Sequence, residues 1–197
     1  MTAKPKSDYI VPDLLAPGLR LVFCGTAPSR ISKDKRAYYA NPGNRFWKSL
    51  HEATLTPHRF QPHDYPKLLA LGIGLTDLNK IEWGNDDELT PAGFDVAAFT
   101  RKMRRYRPGA IAFTSKYTAS LYLGCKTGDL DYGLHSATVD GIPLHVLPST
   151  SGQAVRYFNL APWVALARGI EVGFAGDGSS VSSRGRRSAG DARSLRE

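Results

Sequence analysis

The chain has 197 residues, 42% of them hydrophobic, enough for one domain with a substantial core. Lys and Arg outnumber Asp and Glu by 26 to 18, a net charge of +8 that favours polyanionic partners over acidic proteins or neutral ligands. No apolar run approaches the roughly 20 residues that cross a bilayer, the N-terminus MTAKPKSDYIVPD lacks the apolar core of a secretory signal, and two cysteines are too few for a disulfide scaffold or a cysteine-rich metal or iron–sulfur site.

A cytoplasmic protein is therefore expected, with Cys24 and Cys125 as packed thiols. In chain order, Arg20 to Cys24 (RLVFC) reads as a buried strand stopped by Gly25. Asp34 follows in RISKDKR, a charged loop. In GNRFWKSLHEATL, Phe46, Trp47, Leu50 and Ala53 share one helical face, and Asn44 suits the N-cap. A second helix is expected from about Pro91 to Tyr106, with Val96, Phe99, Met103 and Tyr106 at spacings of three and four. Arg101, Lys102, Arg104, Arg105 and Arg107 surround that stripe and read as a solvated face, the alternative being a patch that meets phosphates.

Ala110 to Phe113 is a second buried strand, and Thr114 to Leu123 a helix ending at Gly124. Thr138 to Val146 forms a hairpin across Asp140-Gly141 and delivers the chain to LPSTSG. A last helix spans about Leu160 to Arg168, and the Ser/Gly/Arg-rich terminus is expected to be disordered. The expected boundaries are an N-terminal extension over 1–14, one domain over 15–172 and a tail over 173–197. Strands alternating with helices predict a three-layer α/β/α sandwich around a central, mainly parallel sheet, with the site at the carboxyl ends of the strands. Two loops fall there, GTAPS and LPSTSG. GTAPS by itself lacks the glycine spacing of either common nucleotide-binding loop.

The blocks LAPGLRLVFCGTAPS, YYANPGNRFWKSL, GIGLTDL and LPSTSGQA, in this order and at these separations, resemble the mismatch-specific uracil-DNA glycosylases and the thymine-DNA glycosylases over about Leu15 to Arg168. The resemblance implies a monofunctional, monomeric DNA glycosylase that needs no metal or other cofactor, is nucleoid-associated in a bacterium and initiates base excision repair. Such an enzyme flips a damaged or mismatched base and hydrolyses its N-glycosidic bond. It needs a stacking surface, polar groups for the base edge, a wedge and a phosphate-binding surface.

By position, Tyr39 is implied as the stacking residue, with Tyr38 as the alternative, and backbone around Thr26 and Tyr39 reads the base edge. Ser149, Thr150 and Ser151 are implied to grip phosphates, unless their hydroxyls satisfy their own turn. Gly152, Gln153 and Ala154 match the wedge, and Arg156 suits a further phosphate contact. Where these relatives carry Asn to hold the attacking water, this chain has Ala27, and Ser29 replaces a glycine; both changes reshape the base pocket. Hypoxanthine-DNA glycosylases also lack a polar residue in the first motif and rely on an asparagine aligned with Asn44. Asn44 is thus the first catalytic candidate, or simply a helix cap; Asn41 and Asp34 are runners-up, and Asp77 a supporting residue. Uracil, hypoxanthine and xanthine are the expected bases. A catalytically impaired damage-binding protein on the same fold is the competing reading, and an unrelated nucleotide-binding α/β enzyme the next.

Overall fold

The computed structural model describes residues 8–177, and the side chains of residues 8–170. Five strands form one sheet in the order β2-β1-β3-β5-β4. β1 (Leu21–Gly25), β2 (Ile73–Asp77), β3 (Ile111–Phe113) and β5 (Ile142–Val146) are parallel, and β4 (Gly133–Val139) joins β5 antiparallel at the edge. Asp140 and Gly141 both have positive φ, 53° and 81°, as a tight two-residue hairpin turn requires.

The alternation of β1 explains the layering. Leu21 and Phe23 enter one core with Ile73, Leu75, Ala112, Phe46, Leu50 and Trp163, whereas Val22 and Cys24 enter a second core with Ile111, Phe113, Phe99, Met103 and Ala119. Successive strand residues point to opposite faces, so both faces of the sheet are covered. α2 (Phe46–Glu52) and α5 (Ala161–Asp177) supply the first cover, α3 (Val96–Tyr106) and α4 (Lys116–Leu123) the second. The three-layer expectation holds.

Several boundaries differ from the sequence reading. RISKDKR forms a short helix, α1 (Arg30–Lys35), because Ser29 caps it by accepting from the Ser32 amide. α3 starts five residues later than expected: Pro91–Gly93 is a 3₁₀ turn, and the Asp95 carboxylate caps the helix at the Ala98 amide, 2.7 Å. Likewise Ser115 caps α4, leaving Thr114 in the loop. Of the residues expected as an N-terminal extension, 8–14 pack on the body: Val11 and Leu14 are buried, and Leu14 bridges Leu75 of β2, while 1–7 lie outside the described residues. Residues 173–177 continue α5, and the rest of the expected disordered tail lies outside the described residues. Cys24 is buried, but Cys125, just past the Gly124 cap of α4, is exposed rather than packed. On α3, Arg101, Arg104 and Arg105 are exposed as expected, with Arg107 just beyond; Arg104 pairs with Asp140, and Lys102 turns inward to Asp13.

Aromatic packing fixes the loops. Trp163 lies between Phe23, centroid distance 5.5 Å, and Phe46, 5.9 Å, while its indole N–H donates to the Pro148 carbonyl at the head of LPSTSG. The Trp47 indole N–H donates to the Tyr38 carbonyl and holds the tyrosine loop in the same way. Replacing Trp163 with alanine opens a cavity under β1 and frees that loop. A loss of about 3–5 kcal/mol in urea unfolding is expected, and a loss below about 1 kcal/mol would contradict this role.

Candidate active site

The chain passes from β1 outward to β2 and then crosses to β3 on the other side of β1. Open α/β sheets bind ligands at the carboxyl ends of strands where the order reverses in this way. A cavity of about 500 Å³ lies there, within the range of small-molecule pockets. It is walled by the GTAPS loop, the tyrosine and asparagine loop, the end of β2, the segment 84–87, Thr114-Ser115 and the LPSTSG loop.

Its floor is Asp77, 4% exposed. Gly25 pairs with Asp77 in the β1–β2 register, and a Cβ on Gly25 would lie 2.5 Å from Asp77 Oδ1 and 3.1 Å from Tyr39 Oη. Only glycine permits that approach. Behind the floor, Lys80 Nζ lies 3.5 Å from Asp77 Oδ2, 3.2 Å from Asp13 Oδ1 and donates to Tyr38 Oη at 2.7 Å. Asp13 also takes Lys102 at 2.6 Å and the Thr76 hydroxyl at 2.7 Å. The two carboxylates respond in opposite directions. Burial raises the Asp77 carboxyl above its ordinary value in spite of Lys80. Burial acts the same way on Asp13, but Lys80, Lys102 and Thr76 outweigh it and hold that carboxyl low.

Tyr39 sits in the left-handed region, φ 51°, with its ring stacked on Phe46 at 3.8 Å and 15°, and its hydroxyl 3.3 Å from Thr114 Oγ1. One ring face is thus covered by Phe46, and the ring lines the cavity. Tyr38 also lines it but is buried against Lys80, which makes Tyr39 the better platform. Asn44 lines the cavity while its Oδ1 accepts from the Phe46 amide at 2.9 Å; the N-cap of α2 is Arg45 rather than Asn44, which braces the helix start from one residue earlier. Its Nδ2 remains available to donate. Asn41 lines the cavity as well, with Oδ1 accepting from the Gly43 amide.

Thr26, Ala27 and Ser29 also line the cavity. Ser29 is taken up at the α1 cap, accepting from the Ser32 amide and donating to Ser32 Oγ, and Thr26 Oγ1 meets Thr118 Oγ1 at 2.8 Å. Ser149, Thr150, Ser151, Gly152 and Gln153 line the cavity too. Ser149 Oγ accepts from the Ser151 amide and Ser151 Oγ from the Gln153 amide, so these hydroxyls do serve their own turn. A hydroxyl that accepts still has its own O–H to give. Ala154 and Arg156 lie on the same turn outside the cavity lining, and Arg156 is exposed.

Asp34 is not brought to the site. It lies on the exposed face of α1, whose only buried residue is Ser32. Conversely, Asn85, Asp86 and Asp87, which no motif in the sequence marks, line the cavity. Asn85 Oδ1 accepts from Gln153 Nε2 at 3.4 Å, joining this segment to the LPSTSG loop. Among the described residues, no group of three or more His, Cys, Asp or Glu side chains is gathered to hold a metal ion, and no helix is long and apolar enough to cross a membrane.

The profile of the Uracil DNA glycosylase superfamily matches residues 12–167. Among solved structures, the solution NMR structure of a Methanosarcina acetivorans protein provisionally named a uracil DNA glycosylase is similar with a TM-score of 0.58 at 25% identity, covering 82% of this chain and 96% of that one.

The opposite responses of the two carboxylates give a stability prediction. Asp13, held low, stabilises the fold above the ordinary carboxylate value, and this is lost as pH falls through its lowered value; Asp77, raised, is favoured protonated and costs stability as pH rises through its raised value. Asp13→Asn should therefore cost about 3–5 kcal/mol at neutral pH, and Asp77→Asn less than half as much. Urea unfolding of both variants checks the order, and the reverse order would refute it.

Proposed function

Because the chain belongs to the uracil DNA glycosylase superfamily, we propose that it is a monofunctional, monomeric DNA glycosylase that flips a deaminated base into this cavity and hydrolyses its N-glycosidic bond. Uracil, hypoxanthine and xanthine are the substrate range. The observation that carries the reading is the Tyr39 ring, backed by Phe46 at 3.8 Å and lining a cavity that the hydroxyl-bearing LPSTSG loop also lines. A planar base stacks on the first while the phosphates flanking it meet the second.

The chemistry separates into parts. The departing base carries negative charge and is stabilised by donors fixed before it arrives, since they need no reorganisation during bond breaking. Asn44 Nδ2 and backbone amides of the GTAPS and tyrosine loops are such donors. Asn44 is oriented by the hydrogen bond its Oδ1 accepts from the Phe46 amide. Gln153 at the cavity mouth enters the vacated stack with Gly152 and Ala154, and Arg156 outside it meets phosphate. The body's basic surface supplies general affinity, which falls as salt rises.

One observation favours a second reading. Ala27 carries no polar group to hold water, so a protein that binds damaged DNA without releasing a base is the alternative. The two separate in an assay of base release from duplexes carrying uracil, hypoxanthine or xanthine. The glycosylase reading expects release of at least one base, a fall of about 10²-fold for Asn44→Ala with abasic-duplex binding retained, and a gain on uracil for Ala27→Asn. Inertness toward all three bases, with binding intact, would establish the binding protein instead.

A further inference from the structure

Resting on the glycosylase reading, we propose that Asp86 is the catalytic carboxylate that takes the proton from the attacking water, the task for which Ala27 has no side chain. A flipped base enters a cavity while its sugar stays tethered to the duplex, so the reacting C1′ lies at the mouth and the base edge at the floor. That ordering sorts the polar groups. Asp77 is at the floor, buried beside Lys80 and covered once a base is in place. Asn41 and Asn44 are amides, which orient water but do not accept its proton. Asp86 is a carboxylate at the mouth, exposed before substrate arrives and lining the same cavity as Thr26, Ala27 and Pro28.

It is also held in place. Its carboxyl lies close enough to the side chain of Thr26, the residue before Ala27, to be stabilised by that hydroxyl. The segment that carries it is pinned by the Gly84 amide donating to the Pro28 carbonyl at 3.0 Å, and by the Asn85 amide donating to Glu88 Oε2. Gly84 has φ +141°, and a Cβ there would meet Glu88 Oε2 at 2.7 Å, so the turn is specific to glycine. Asp87 is its neighbour on the same turn, and Tyr117 of α4 faces it. Partial burial and Asp87 raise the Asp86 carboxyl, against the nearby Thr26 hydroxyl that lowers it, which moves it toward the pH at which a base works best.

The step balances. Water oxygen bonds to C1′ as the C1′–N bond breaks, and that bond's electron pair leaves on the base. The water proton passes to the Asp86 carboxylate and then to solvent, and the base anion takes a proton in turn. Before the bond to oxygen is complete, the same carboxylate offers a fixed negative charge to the cationic sugar.

The test uses the full chain and single-turnover release from a duplex containing uracil opposite guanine or hypoxanthine opposite thymine, across pH. Wild type should lose rate as pH falls through the Asp86 value. Asp86→Asn should be slower by about 10²-fold or more, without that acid limb, and should bind an abasic duplex within about threefold of wild type. Formate should restore rate to Asp86→Ala, which a merely structural carboxylate would not allow, and Asp34→Ala on α1 should match wild type. Asp86→Asn within about threefold of an active wild type would overturn the assignment while leaving the glycosylase reading intact. Wild type inert on every base would remove both.

Discussion

Everything at the cavity depends on the parallel register that sets Gly25 opposite Asp77. With no Cβ on Gly25, the Asp77 carboxyl lies over the β1 backbone and closes the floor. A carboxylate there loses its water, and an unanswered buried charge costs several kcal/mol. The answer comes from three places in the chain. Lys80 follows on the same loop, Lys102 projects inward from α3, and Asp13 links the two ammonium groups from the N-terminal arm. The arm is bound by the Leu14–Leu75 bridge and by the Ile10 amide donating to the Lys80 carbonyl. It belongs to the site as much as to the fold, because removing it would strip the lysines of their shared partner.

Above that floor the cavity is built mostly of donors and hydroxyls. The two indoles that hold its loops, Trp47 at the Tyr38 carbonyl and Trp163 at the Pro148 carbonyl, each use the one polar atom of a core side chain to fix a loop against the aromatic cluster. The platform and the phosphate-binding loop are thus positioned by the same packing that stabilises the domain. Fixed donors suit a departing base anion. What such a lining lacks is a proton acceptor near the sugar, and the loss at position 27 sharpens that need. The segment 84–87 brings carboxylates to the mouth on the same wall as Ala27.

Local pattern made part of this legible. The apolar runs of β1 and β3, the Asp140-Gly141 turn, and the α2 face of Phe46, Trp47 and Leu50 each follow from residues within a few positions of one another. α1 was hidden because its sequence has no apolar stripe; a serine cap sets it, and Ser32 alone is buried. The inward turn of Lys102 could not be told from its exposed arginine neighbours, since its partner Asp13 is remote in sequence. Asp86 was invisible for the same reason. GNDDEL reads as a solvated turn, and only its contacts with Thr26 and Pro28 bring it to the cavity. The resemblance to glycosylases located the loops that match family motifs and had nothing to say about a segment outside them.

Hydrolysis at C1′ by a water held in this cavity is the central claim, and heavy-oxygen water tests it most directly. Wild-type protein is incubated in that solvent with a duplex carrying one deaminated base, and the strand is weighed by mass spectrometry with prompt quenching, before the abasic sugar exchanges its oxygen. The account predicts an intact strand that has lost the base and gained one heavy oxygen. A strand that keeps its base while remaining bound, or one cleaved at the sugar without incorporating solvent oxygen, would contradict it.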